Sequence, residues 1–207
     1  MMRYIQIRFL LSALLLVSSI SANAQQYNES ILQFRKQYIK DLLDEPRKPI
    51  LPTDTRYIEF YPPDEHYKFI ADFNPSPGSK PFLIATHSGK QKPYKEYGTL
   101  TFLLHDSIEA LHVYQNLDLV NGKNHNEELF IPFNDETNYT TTFAGGRYID
   151  LTISDIQNNK VILDFNKCYN PYCAYGEGFS CPIPPSDNHL YIAIQAGEKM
   201  YSKHLSQ

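Results

Sequence analysis

The first pattern along the chain is a dense apolar run, Phe9 to Ile20, carried by Leu10, Leu11, Leu14, Leu15, Leu16 and Val17 and flanked by Arg3 and Arg8. It is about 12 residues long, against the about 20 that cross a bilayer core. Ala22, Asn23 and Ala24 then form an A-x-A site of small residues. A basic flank, a short apolar stretch and a small-residue site in that order predict a secretory signal peptide over residues 1–24, cleaved after Ala24. Further on, Ile31, Phe34, Tyr38 and Leu42 recur at helical spacing among Gln33, Arg35, Lys36, Gln37, Lys40 and Asp41, which predicts an amphipathic helix of about four turns. Asn28 and Ser30 are the candidate caps for its start, and Pro46 and Pro49 are expected to stop it in a proline-rich loop from Glu45 to Thr55.

From Tyr57 onward the period changes to that of strands. Runs at residues 57–61, 67–73 and 81–86 are short, aromatic and bounded by turn residues. Gly98 to Leu104 and Ile108 to Tyr114, joined by His105, Asp106 and Ser107, predict a hairpin with alternating apolar positions. Residues 129–133, 140–144, 148–153, 160–165 and 191–195 continue the series, with turns at 134–138, Gly145–Gly146 and 155–159. About nine short strands behind one N-terminal helix predict a mainly β fold, an antiparallel barrel or sandwich with the helix packed against it. Residues 25–207 are long enough for one sizeable core and short for two, so one domain is expected.

Charge and composition narrow the partners. Without Arg3 and Arg8, 17 Lys and Arg face 23 Asp and Glu, a net charge of −6. No basic run offsets that balance, so nucleic acid is not an expected partner. No second apolar run approaches membrane-spanning length, so no membrane association is expected after cleavage. There is no G-x-S-x-G elbow, no H-E-x-x-H and no phosphate loop, and no cofactor is called for.

The densest segment runs from Asp164 to Pro185. Its sequence LDFNKCYNPYCAYGEGFSCPIPPSDNHL, together with LFIPFNDETN, GGRYIDL, YPPDEHYKFIADF, YGTLTFLL and the AGEK at 196–199, resembles the bacterial and archaeal family called domain of unknown function 1684. The resemblance runs through nearly the whole chain after the leader. It implies a shared fold and shared residues, and no reaction. It also implies cysteines at 173 and 181 and a small residue where Cys168 stands, which makes Cys168 the extra, free thiol. In an oxidising compartment a Cys173–Cys181 disulfide is then expected, with other pairings, free thiols, or zinc on Cys173, Cys181 and Cys168 or His189 as the alternatives.

Three candidate sites remain. Asn166, Tyr169, Asn170 and Tyr172 give the dense segment a polar, aromatic character suited to a small ligand. Asp135, in a turn rich in Asn and Thr, and Arg147, after two glycines, are candidate ligand groups, against a turn cap and a cross-strand ion pair. Glu198 and Lys199 are adjacent on an extended chain and therefore face opposite ways. The expected function is an exported small-ligand-binding or interaction protein. The alternative is an enzyme built around Arg147, Asp135 and the Asn166 to Cys181 segment.

Overall fold

A computed structural model describes residues 24–120 and 127–205. The expected leader lies, but for Ala24, outside the described residues. The amphipathic helix is present as α1 (24–44), longer than its apolar spacing suggests. The extra turn contributes Tyr27, which is buried beside Ile31 and Leu42 on the same helix. Arg35, expected on the polar face, is also buried: it lies over the Phe60 ring and donates to the carbonyls of Tyr61 and Asn166. A guanidinium can leave water in this way because its apolar faces stack while its edges still find acceptors.

The chain after α1 is mainly β. Eight strands, β1 (Lys68–Pro75), β2 (Phe82–Ala85), β3 (Gln91–Leu104), β4 (Ser107–Asn116), β5 (Glu128–Asp135), β6 (Arg147–Thr152), β7 (Lys160–Asp164) and β8 (His189–Leu190), form one sheet. Its order is β6-β5-β4-β3-β1-β7, with β2 beside β3 and the two-residue β8 parallel to β5. All other pairings are antiparallel, and the sheet curls into a half-barrel. The expected hairpin is the join between β3 and β4. His105 and Asp106 both take positive φ, the primed turn that suits the twist of two-residue hairpins.

Alternation builds the core. Ala71 and Phe73, Leu100, Phe102 and Leu104, Leu111 and Val113, Leu129, Ile131 and Phe133, and Val161 and Leu163 meet on one face of the sheet. Their neighbours Ile70, Leu103, Ile108 and Ile162 are exposed on the other. Part of that second face is covered, where Ile84, Tyr94 and Tyr114 pack with Phe130. A third cluster joins Leu42 of α1 to Ile50, Ile58, Tyr175 and Tyr201.

Three expected strands are not strands. Around residues 57–61, Pro52–Tyr57 forms a 3-10 turn and only Phe60 makes a bridge, to Glu198. Pro62 and Pro63 follow immediately and have no N–H for a ladder. The threonines at 140–142 spend their backbone N–H groups on the Thr137 carbonyl, closing a turn. Residues 191–195 are irregular, and β8 ends just before them. Conversely, β3 begins at Gln91, seven residues before its apolar alternation becomes clear, and passes through Pro93 with a bulge between Glu96 and Gly98.

Candidate functional site

β6 supplies two different sites from one alternating sequence. Arg147 and Ile149 point into the core, while Tyr148 and Asp150 point to the second face.

The inward site is sealed. Arg147 and Asp135 have fully buried side chains, and Arg147 Nη2 donates to Asp135 Oδ2 at 2.7 Å and to the Ile194 carbonyl at 2.9 Å. Nη1 donates to the Ala196 carbonyl. The other oxygen of Asp135 accepts from the backbone N–H of Thr137 at 2.8 Å and of Ile194 at 3.2 Å. The pair thus fastens the 137–142 turn and the irregular 194–198 segment to the end of the sheet.

Asn166 and Asn170 are equally enclosed. Asn166 accepts from the Asp64 N–H and donates to the Asp64 carbonyl, the Asp164 carboxylate and the Tyr27 hydroxyl. Asn170 Nδ2 donates to the Lys199 carbonyl at 2.7 Å. Its backbone N–H donates to Glu198 Oε2 at 2.9 Å. Glu198 is wholly buried and also accepts from Tyr38 at 3.0 Å and Tyr175 at 2.8 Å. Burial pushes its carboxyl up to about 7, although the bonds from Asn170 and the two tyrosines favour the charged form. Gly197 makes this approach feasible: its φ is +76°, and a Cβ there would stand 2.7 Å from the carbonyl oxygens of Cys168 and Phe165.

Asp135, Arg147, Asn166 and Asn170 are therefore closed off from solvent by the protein's own loops. Tyr169 and Tyr172 are not. Both line a cleft of about 590 Å³ on the second face of the sheet. Its floor comes from Lys92 and Tyr94 of β3, Phe130 of β5, and Tyr148 and Asp150 of β6. Its roof is the 169–182 segment with Phe179, and Arg47 stands over the Tyr172 and Phe179 rings. A second cavity of about 680 Å³ continues beyond Asp150 and Tyr169, between α1 and the edge strands β6 and β7.

Five charged residues line the cleft, Arg47, Lys92, Glu128, Asp150 and Asp155, of which Lys92 and Asp150 stand on its floor. Asp150 accepts a hydrogen bond from the Tyr169 hydroxyl at 2.6 Å. It is exposed at the cleft floor; crowding by the cleft walls, with the nearby Glu128, raises its carboxyl, and the Tyr169 bond opposes the rise. Lys92 is half-buried and makes no ion pair among the described residues. Partial burial and the neighbouring Arg47 lower its pKa, with Asp118 opposing them. Neither residue is conspicuous in the sequence. The available signal is register: with Arg147 inward, Tyr148 and Asp150 must face outward.

The three cysteines divide as the resemblance implies. Cys173 and Cys181 form a disulfide with Cα atoms 6.2 Å apart, and Cys168 is a buried free thiol pushed up to about 11 by burial. His189 sits beside Glu136, and among the described residues no three His, Cys, Asp or Glu side chains gather as a metal site. The disulfide closes the loop that carries Phe179 and Ser180, two residues of the cleft wall. A Cys173→Ser, Cys181→Ser variant is expected to lose about 2–3 kcal/mol, the chain-entropy value for so short a loop. Urea melts of the variant, and of the parent with and without reductant, measure this.

The family model for a protein of unknown function, DUF1684, matches residues 54–199. The chain belongs to the DUF1684 family. The matched span contains every strand and both Lys92 and Asp150, and it begins after α1 and Arg47. The DUF1684 chain is also similar to an uncharacterized protein of Haloarcula marismortui solved by solution NMR. The two share 28% identity with a TM-score of 0.66, over 88% of this chain and 99% of the archaeal one. No curated protein matches the chain. What is shared is a fold. The disulfide is compatible with export, and among the described residues no helix is long and apolar enough to cross a membrane.

Proposed function

We propose that this chain is an exported protein that binds a small ligand in the cleft between the sheet and the 169–182 segment. The observation that carries the reading is the cleft's composition: aromatic walls from Tyr94, Phe130, Tyr148, Tyr172 and Phe179 are set among charged side chains of both signs, the cations Arg47 and Lys92 and the carboxylates Glu128, Asp150 and Asp155. Its volume, about 590 Å³, lies within the about 300–1,000 Å³ of small-molecule sites, and a mostly apolar lining with a few polar groups is their usual character. Arg147 and Asp135, the pair an enzyme reading would use, have fully buried side chains, which favours the binding reading. Export rests on the basic flank, apolar stretch and A-x-A site before Gln25, and on a disulfide suited to an oxidising compartment.

The test of ligand binding is a fragment screen followed by NMR of the protein itself. Fragments are expected to shift the resonances of Tyr94, Tyr148, Tyr172 and Phe179 together and to compete with one another. Hits that spread over the surface, or a screen without hits in the cleft, reject the reading. Export is checked separately by the N-terminus of the protein recovered from outside the cytoplasm, which should begin at Gln25.

A further inference from the structure

We propose that the cleft's ligand is an extended zwitterion, its anionic end on Lys92, its cationic end on Asp150, and its apolar middle between the tyrosine rings. The inference rests on the ligand-cleft reading above and narrows it. Its starting point is that Lys92 and Asp150 line one cleft and neither makes an ion pair among the described residues. Lys92 is half-buried and without an ion pair among the described residues, and the charge that acts on it most strongly is that of Arg47. Asp150 takes one hydrogen bond, from Tyr169, and the carboxylate felt beside it is Glu128. A ligand anion near Lys92 and a ligand cation near Asp150 each supply an ion pair that the group does not make within the described residues.

The sheet register sets the separation. Asp150 pairs with Phe130, Phe130 with Tyr114, and Tyr114 with Glu96, so Asp150 lies in line with Glu96 on β3. Lys92 is four residues further along β3 on the same face as Tyr94. Three strand spacings and four residue rises place the two backbone positions roughly 19 Å apart, and the reach of the lysine chain leaves on the order of 10 Å between the charges. An α-amino acid, whose charges sit on adjacent atoms, cannot engage both. A short peptide or an ω-amino acid can. Between the poles, Tyr94 and Phe130 stack on the floor at 5.9 Å and Tyr172 lies in the roof, which suits a flat or methylene-rich spacer.

Calorimetry at pH 8 on the purified protein tests this with phenylalanine, 6-aminohexanoate, 10-aminodecanoate and trialanine as zwitterions of different span. Octanoate, octylamine and octanol carry one charge or none. One of the three long zwitterions is expected to bind at least tenfold tighter than phenylalanine and than either singly charged probe. Lys92→Met should cost that zwitterion and octanoate about tenfold and leave octylamine unchanged; Asp150→Asn should do the reverse. Melting temperatures of both variants show that they fold. Octanoate, octylamine or octanol binding in the cleft as tightly as the best zwitterion overturns the zwitterion inference and leaves the ligand cleft standing. Binding by none of the seven probes also overturns it, and the fragment screen then decides separately whether the cleft takes ligands at all.

Discussion

Arg147→Met is expected to destabilise the protein by about 3–5 kcal/mol, the usual cost of removing one partner from a buried ion pair. For a chain of this length that corresponds to a fall in melting temperature of roughly 6–20 °C. The size follows from what is left behind. Asp135 would remain in the core without its guanidinium, and the carbonyls of Ile194 and Ala196 would lose their donor. Arg147→Lys should recover little, because an ammonium cannot fork between a carboxylate and backbone carbonyls. Replacing both members, Asp135→Asn with Arg147→Met, should cost less than the sum of the single changes. Thermal melts of the four proteins form the double-mutant cycle, and additive losses would show that the pair is not a unit.

The second large effect is a pH dependence set by Glu198. Its folded pKa, about 7, stands above the ordinary 4.5, so the folded state holds the proton more tightly than the unfolded chain. Stability therefore rises as pH falls through 7 towards 4.5, and the loss is complete above about 7. A gap of this size corresponds to about 3 kcal/mol between the two ends. Glu198→Gln mimics the protonated carboxyl and should raise the melting temperature at pH 8 while leaving it nearly unchanged at pH 4.5. Asp150 shifts in the same direction, and Asp54 and Glu45 in the opposite one, so the diagnostic quantity is the difference between parent and variant across the range. Equal slopes in the two proteins would remove Glu198 as the source.

How far the chain could be read follows from which forces act locally. The β3–β4 hairpin and the core faces of β5 and β7 are legible because period-2 alternation is enforced wherever one face of a sheet is buried. The first half of β3 is not, since Pro93 argues against a strand and only the neighbouring β2 makes the pairing worthwhile. The threonines at 140–142 have strand propensity, but their backbone is captured by the Thr137 carbonyl, a tertiary choice that propensity cannot register. Of the candidate site residues, Tyr169 and Tyr172 both line the cleft. Asp135, Arg147, Asn166 and Asn170 have the same polar chemistry as ligand groups and are sealed inside. Residue type does not distinguish a carboxylate at a cleft floor from one under a loop; burial does, and burial is decided by segments far away in sequence.

That distance has a consequence for how the chain reaches its final form. Beside its near contacts with Ile50, Ile58, Phe60 and Tyr61, α1 has partners far downstream: Tyr27 bonds to Asp164, Arg35 to the Asn166 carbonyl, and Tyr38 to Tyr175 and Glu198, 131 to 160 positions away. The hydrogen-bonded seat of α1 is therefore complete only when residues 164–198 are present. Contacts of such span are slow to close, because the loop entropy must be lost before they form. Until then Tyr27 and Tyr38 lack these partners, so the packing of α1 on the sheet is completed late in folding, after the strands it rests on have closed.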